Sequence, residues 1–154
     1  MATKIRGRER LLAKMKALPL QVRSAIKQAL AQGADEITDM QKRLVPVDSG
    51  DLRDSIAQTW GGGKVRYSSL NAGAETGDPD LTVRISAGNS KVRYAHLVEF
   101  GTAPHINGGK FAGSQHPGTA AKPFFFPAYR ALRKRVKSRI TRATNKAAKR
   151  VAAS

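Results

Sequence analysis

Two stretches decide the fold of this chain: residues 45–56, VPVDSGDLRDSI, and residues 94–127, YAHLVEFGTAPHINGGKFAGSQHPGTAAKPFFFP. Glycine, proline and acidic residues fall at definite spacings in both, whereas the flanking segments have the composition of generic basic helices. Proline ends helices and glycine allows tight turns, so these residues mark points where the chain changes direction. The structure of the middle of the chain is therefore expected to depend on them.

The composition limits the class of protein. The 154 residues fit a single domain, residues 1–154. The sequence contains no cysteine, which excludes disulfides, thiolate metal sites and cysteine nucleophiles. No apolar run approaches the roughly 20 residues that a membrane span needs, and the N-terminus lacks the apolar stretch of a signal peptide. We therefore expect a protein that is made in the cytoplasm and has no membrane partner.

The net charge of +17 is concentrated at the two ends of the chain. Residues 4–23 hold seven basic residues against Glu9 alone, and residues 130–154 hold ten basic residues and no acid. Such a distribution favours an acidic partner, either nucleic acid or an acidic protein surface. The candidate contact residues are Arg130, Arg133, Lys134, Arg135, Lys137, Arg139 and Arg142.

Apolar periodicity predicts three helices. A short basic N-terminal helix is expected within residues 1–18, and a long helix from Val22 to Leu44, which Pro46 closes. Gly33 inside the long helix costs about 1 kcal/mol against alanine, which is tolerable if another backbone approaches closely there. Pro127 suits the start of a basic C-terminal helix over residues 128–154, whose narrow apolar stripe predicts a frayed end.

The remaining part of the core, residues 20–128, alternates in polarity where the helical period stops. Strands are predicted at residues 55–60, 65–70 and 81–87, forming an antiparallel meander with one face toward water. Residues 94–100 suit either a fourth strand or a short helix ended by Gly101, and we favour the helix. A long glycine-rich loop is expected to follow.

The predicted fold class is therefore α+β. An antiparallel sheet of three to four strands packs against a long N-terminal helix and a basic C-terminal helix, and a long glycine-rich loop precedes the latter.

The first stretch has two interpretations. Asp48 is placed to accept hydrogen bonds from the N–H groups of Gly50 and Asp51, as a helix cap or Asx turn, which would turn Leu52 inward. Alternatively, Asp48, Asp51 and Asp54 form a carboxylate cluster that binds a divalent metal, as in a nuclease. Capping explains the same residues without a metal, so we favour it.

The second stretch also allows a metal site. His96 and Glu99 would share a helix face, with His105 and His116 on the following loop, but zinc ligands need a rigid frame that a loop rich in glycine does not give. In the alternative interpretation, Glu99 accepts hydrogen bonds from backbone N–H groups or forms an ion pair with an arginine such as Arg53. The three phenylalanines between Pro123 and Pro127 are expected to pack in the core, with exposure to a partner protein as the alternative.

Taken in order, these segments resemble the tail-completion, or neck, family of long-tailed bacteriophages, typified by the tenth gene product of a lambdoid coliphage. The family's P-x-D-T/S-G-x-L-x-x-S element is matched by Pro46, Asp48, Ser49, Gly50, Leu52 and Ser55. Its Y-A-x-x-V-E-F-G-T element is matched by Tyr94, Ala95, Val98, Glu99, Phe100, Gly101 and Thr102. Its P-F-x-x-P-A element is matched by Pro123, Phe124, Pro127 and Ala128. The resemblance spans about residues 20–143, with Ser49 in place of the more usual threonine and a longer loop at residues 106–115.

The resemblance implies a structural protein of the virion at the head–tail junction, and no enzyme. Its implied partners are copies of itself in a ring, a hexamer in our expectation, and other neck, connector or tail-tube proteins, with contact to packaged DNA as a further possibility. It implies no cofactor and no small-molecule substrate. The sequence agrees, because it shows no phosphate-binding loop and no Ser/His/Asp arrangement of recognisable spacing.

Two alternatives stay open: a basic nucleic-acid-binding protein, indicated by the ten basic residues after Ala128, and a metal-dependent enzyme acting on DNA, indicated by the Asp and His clusters. If the protein forms a ring, its basic helix could line the lumen and contact DNA, or dock on an acidic protein surface. A densely basic lumen would retard DNA ejection, so we favour docking on protein. The loop at residues 102–122 is expected to become ordered on assembly.

Overall fold

Two long helices, α1 (Leu20–Leu44) and α4 (Phe125–Ala152), frame the computed structural model, which describes residues 20–61, 69–72 and 78–152. Between them lie the short helices α2 (Asp51–Asp54) and α3 (Ala95–Phe100), the strands β1 (Ala57–Trp60), β2 (Leu70–Ala72), β3 (Val83–Ala87), β4 (His105–Ile106) and β5 (Gln115–His116), and 3₁₀ turns at Pro79–Leu81 and Gly109–Phe111. The predicted α+β class is confirmed. The predicted N-terminal helix within residues 1–18 lies outside the described residues.

The two long helices pack antiparallel. Val22 and Ile26, near the start of α1, form a small cluster with Ala147, near the end of α4. At the other end, Gln41 Nε2 donates a hydrogen bond to the Phe125 carbonyl at 3.2 Å. Ala147 is buried and α4 continues to Ala152, and the frayed end that the sequence predicts stays a prediction.

Gly33 lies at the contact between α1 and α4. A Cβ atom at this position would lie 2.5 Å from Val136 Cγ1. The close approach that the sequence predicts is therefore present, but it is made by a side chain of α4 and not by a backbone. Val136 is β-branched and its χ1 angle is restricted, so it cannot easily move aside.

The main sheet has the strand order β1-β3-β2, with β3 antiparallel to both neighbours. The predicted meander is wrong, because β1 pairs with β3 and not with the next strand along the chain. The wet face is also wrong for β3, where Arg84 and Ser86 are buried together with Ile85 and Ala87. Residues 62–68, which carry most of the strand predicted at 65–70, lie outside the described residues.

The core joins both helices to the sheet. It is built from Ala34, Ile37, Val45, Leu52, Ile56, Leu70, Ile85, Ala87, Val92, Ala95, Phe124 and Phe125. Phe124 and Phe125 are fully buried, which confirms the core interpretation of these two phenylalanines. Leu52 and Ile56 are buried as predicted.

Residues 94–127 form more regular structure than predicted. The short helix is confirmed as α3, and Gly101 caps it with φ 73°. The predicted glycine-rich loop contains a short hairpin, in which β4 and β5 pair with His105 opposite His116. We call residues 102–119 the hairpin arm.

Among the described residues, no helix has the length and apolar character of a membrane span.

Replacing Gly33 by alanine tests the helix contact. Helix propensity alone would stabilise α1 by about 1 kcal/mol. Because the new methyl group overlaps Val136, we expect Gly33→Ala to lower the free energy of unfolding by about 1–2 kcal/mol in urea denaturation.

Adding Val136→Ala should recover part of this loss, and Gln32→Ala, on the exposed side of α1, should change stability by less than about 0.5 kcal/mol. A stabilising Gly33→Ala substitution would contradict the contact.

Candidate functional site

The carboxylate of Glu99 binds the beginning of α4. Its Oε2 accepts the N–H groups of Phe124 and Phe125, both at 2.8 Å, and its Oε1 accepts the N–H of Phe126 at 3.0 Å. The first N–H groups of a helix have no acceptor within the helix, and the helix dipole favours a negative charge beside them. Glu99 is 2% exposed, so solvent does not compete for these bonds. The prediction that Glu99 bonds backbone is confirmed.

This carboxylate also explains why α4 begins earlier than predicted. The helix starts at Phe125, two residues before Pro127, because Glu99 satisfies the amides that would otherwise lack acceptors. Pro127 lies in the first turn, where its missing N–H costs no helical hydrogen bond. The alternative partner of Glu99, Arg53, forms an exposed ion pair with Asp54 at 3.5 Å instead.

Backbone hydrogen bonds join α3 to the segment that leads into α4. The N–H of Lys122 donates to the Val98 carbonyl at 2.8 Å. Thr102 and Thr119 exchange two N–H···O bonds, at 3.0 and 3.1 Å, which close the base of the hairpin arm. The second stretch thus folds back on itself as one unit.

Two glycines make this close approach possible. Gly101 and Gly118 have φ values of 73° and 86°. A Cβ on Gly101 would lie 2.5 Å from the Thr119 carbonyl oxygen, and a Cβ on Gly118 would lie 2.5 Å from the Thr102 oxygen. Any side chain at either position would therefore separate the two strands of the arm at its base.

The first stretch turns at Gly50, which occupies the N-cap position of α2 with φ 91°. Ser49 Oγ accepts the N–H of Asp51 at 3.3 Å and donates to the Asp51 carboxylate at 2.8 Å. The prediction that Asp48 caps this turn is wrong, because Gly50 holds the cap position and the N–H of Asp51 donates to Ser49. The Asp48 side chain is exposed instead.

Ser55, the last residue of the first motif, fastens it to the sheet. Its hydroxyl donates to the Leu52 carbonyl at 2.7 Å and accepts the N–H of Gly88 at 3.0 Å. Gly88 directly follows β3, so this buried hydroxyl connects α2 to the central strand.

Sequence reasoning missed the role of Gln41, which is fully buried and donates to the Phe125 carbonyl. Gln41 follows the apolar Ile37 by four residues, so helical periodicity places this polar side chain on the inward face of α1. This spacing was the signal in the sequence for a buried polar role.

The two stretches meet at a groove with a volume of about 430 Å³, which we call the motif groove. Its lining residues come from both stretches: Pro46, Val47, Asp48, Ser49, Gly50, Leu52, Tyr94, Val98, Thr119, Ala120 and Lys122. Val47 is 61% exposed and Tyr94 is 41% exposed, so two large apolar side chains at the groove face solvent.

The exposed apolar surface continues along α3. Leu97 follows Tyr94 by three residues, about one helical turn, and is also 41% exposed. Phe100, one turn further, is 65% exposed, with its ring centroid 5.9 Å from that of Phe126. Contiguous exposed apolar surface of this kind marks protein interaction sites.

The seven basic contact candidates divide into two groups. Arg135 and Arg139 bind the Glu36 carboxylate of α1, and Arg130 donates to the Phe126 carbonyl at 3.3 Å. The hydrogen bond from Arg139 and the nearby positive charges lower the pKa of Glu36. The other four form no ion pair within the described part of the chain and are exposed: Arg133, Lys134, Lys137 and Arg142.

The groove between α1 and α4 adds to this basic surface. It has a volume of about 430 Å³, and its basic lining residues are Arg139, Lys146 and Arg150. Gln21, Gln28 and Gln32 line it from α1. An anionic partner suits this lining.

The described residues do not assemble the metal sites considered from the sequence. Across residues 20–61, 69–72 and 78–152, no three His, Cys, Asp or Glu side chains converge as metal ligands would. Glu99 is occupied by backbone N–H groups, and His96 is exposed on α3. His105 and His116 stack with ring centroids 4.9 Å apart.

The family model described as "Bacteriophage HK97-gp10, putative tail-component" matches residues 9–101. The chain belongs to this family. The phage tail-component resemblance is thereby confirmed over the first motif and α3. No curated protein and no solved structure matches the chain.

The family match ends at Gly101, within the second stretch. The hairpin arm and α4 of this tail-component chain follow it, and the bonds of Glu99 and Val98 attach them to the matched part. Glu99 is therefore the residue by which the matched domain fixes the direction of α4.

Glu99→Gln tests this attachment. An amide offers one acceptor oxygen and places an N–H₂ group against backbone N–H donors, so we expect the free energy of unfolding to fall by about 2–4 kcal/mol in urea denaturation.

Glu36→Gln provides a matched control, since it makes the same change in an ion pair on the helix surface and should cost much less. Equal losses for the two variants would mean that the Glu99 carboxylate does not hold α4.

Proposed function

We propose that this tail component is a structural protein of the phage head–tail junction, located in the virion. In this proposal it assembles as a ring, a hexamer in our expectation, and closes the tail or joins it to the DNA-filled capsid. The role consists of binding through surfaces and requires no catalysis, cofactor or small-molecule substrate. Its partners would be copies of itself and neck, connector or tail-tube proteins.

One observation carries the proposal: the two motif stretches come together at an exposed apolar groove. Val47 and Tyr94 line this groove, Leu97 and Phe100 follow along α3, and all four are more than two-fifths exposed. Fully burying one such side chain stabilises a complex by about 1.5–3 kcal/mol. A protein partner that covers several of them would therefore bind favourably here. The side chains at this groove have the character of a docking surface.

The charge of the chain adds a condition on assembly. Copies with a net charge of +17 repel each other unless their basic surfaces meet acid or salt screens them. Ring formation should therefore depend on ionic strength and on acidic partners, for which the exposed side of α4 is the candidate contact.

Particles that lack the protein test this function. We expect lysates of a phage with this gene deleted to contain separate heads and tails in electron micrographs. The wild-type gene supplied in trans should restore joined particles, and a Val47→Asp, Tyr94→Asp variant should not, because it places two charges in the motif groove.

Leu20→Asp serves as the control, since it makes the same kind of change at a residue that is 84% exposed at the start of α1. Firmly joined particles without the protein would exclude the proposed function.

Contact with DNA is a second candidate function, favoured by the exposed residues Arg133, Lys134, Lys137 and Arg142 on α4. Protein docking still ranks first, because a basic lumen would hold DNA that has to leave. Deleting residues 133–154 is not a clean test, because it would also remove Val136, Ile140 and Ala147 from the packing against α1.

Neutralising three surface charges is the sharper test of DNA contact. If α4 contacts phosphates, Arg133→Gln, Lys134→Gln, Lys137→Gln should reduce the salt dependence of binding to duplex DNA, by up to about 0.9 in log–log slope per lost contact. The control neutralises Lys27, Lys42 and Arg43 of α1. Equal slopes for both triple variants and the wild type would exclude α4 as the DNA contact.

A further inference from the structure

Hydrogen bonds and stacked rings connect the two sides of the hairpin arm. Besides the Thr102–Thr119 pair and the stacked histidines, the N–H of Asn107 donates to the Ser114 carbonyl at 2.8 Å. The Asn107 side-chain amide also donates to the Ser114 hydroxyl at 2.9 Å. An isolated two-stranded hairpin is marginal in water, and these bonds add to the stability of the arm. A preformed arm loses little conformational entropy when it binds.

The arm presents apolar side chains at its far end. Ile106 is 70% exposed and Phe111 is 69% exposed. Among the large apolar residues that the structure describes, only Leu20 is more exposed than these two. Six extended residues from the base at Thr102 reach roughly 20 Å, which is far enough to cross to a neighbouring molecule.

Charge distinguishes the arm from the motif groove. The arm contains Lys110, directly before Phe111, and no acidic residue. The groove is lined by Asp48, and α2 beside it carries the exposed carboxylates of Asp51 and Asp54, against the basic Lys122 and Arg53. In a chain of net charge +17, the groove therefore offers carboxylates next to exposed apolar surface.

We propose that the arm of one copy of this chain inserts Ile106 and Phe111 into the motif groove of the next copy, with Lys110 facing the aspartates at the groove. This contact rests on the proposed function, because it supplies the subunit interface of the ring. The arm cannot fill its own groove, since Thr119 at its base forms part of the groove wall. The two surfaces differ, so the contact is head-to-tail, and such contacts form a ring when the rotation between neighbouring copies closes.

The absence of cysteine in the chain allows a direct test. Phe111→Cys and Val47→Cys are introduced together, and the protein is treated with a short bis-maleimide, both in concentrated purified form and in virions. We expect a ladder of cross-linked species on a denaturing gel. Two single-cysteine chains mixed together should give only a cross-linked dimer.

Trp60→Cys replaces Val47→Cys in the control, because Trp60 is 38% exposed on β1 and does not line the groove. This control should give no ladder. A ladder of equal intensity in the control, or no ladder in both the purified protein and virions, would overturn the proposal.

A second measurement tests the energetics. Ile106→Ala, Phe111→Ala should weaken self-association about 30- to 100-fold in sedimentation, whereas Leu20→Ala should leave it unchanged. Lys110→Glu should weaken it as well, and Asp48→Lys in the same chain should restore it. Unchanged association of the alanine double variant would refute the contact.

The outcomes separate this contact from the proposed function. If heads and tails are joined in virions that show no ladder, the arm–groove contact fails and the head–tail function stands. If the ladder forms but particles without the protein are still joined, the function fails and the contact stands.

Discussion

One buried carboxylate determines how the two halves of this molecule are placed. Glu99 accepts three consecutive backbone N–H groups at the start of α4, at 2.8–3.0 Å. Three charge-assisted bonds to one side chain fix both the position and the direction of a helix, because the donors point along the helix axis. The packing of Phe124 and Phe125 in the core and the antiparallel contact with α1 follow from this placement.

The rest of the second stretch supports that carboxylate. Lys122 bonds to α3 one residue away from Glu99, and Gly101 and Gly118 allow the backbones to meet without side chains between them. The same backbone contact closes the base of the hairpin arm. Residues that hold the core together thus also set where an exposed arm leaves the protein.

Sequence patterns within short segments correctly predicted the elements that depend on interactions between near neighbours in the chain. Helical periodicity located α1 and α3, and Gly101 marked the end of α3. The strand order could not be read from the sequence, because alternation shows which face a residue takes and not which strand lies beside it. The arm was missed for a similar reason, since its stability comes from pairing of Thr102 with Thr119, seventeen positions away.

For the site, the sequence identified the residues but not their arrangement. The spacing in both stretches indicated important turns, yet nothing local showed that Val47 and Tyr94 meet at one groove. That arrangement matters for a subunit with a net charge of +17. In the proposed arm–groove contact, the repulsion between the basic surfaces of neighbouring copies falls off over the Debye length, about 8 Å at physiological salt. Under that proposal, apolar burial at the arm tip has to outweigh the part of the repulsion that salt does not screen.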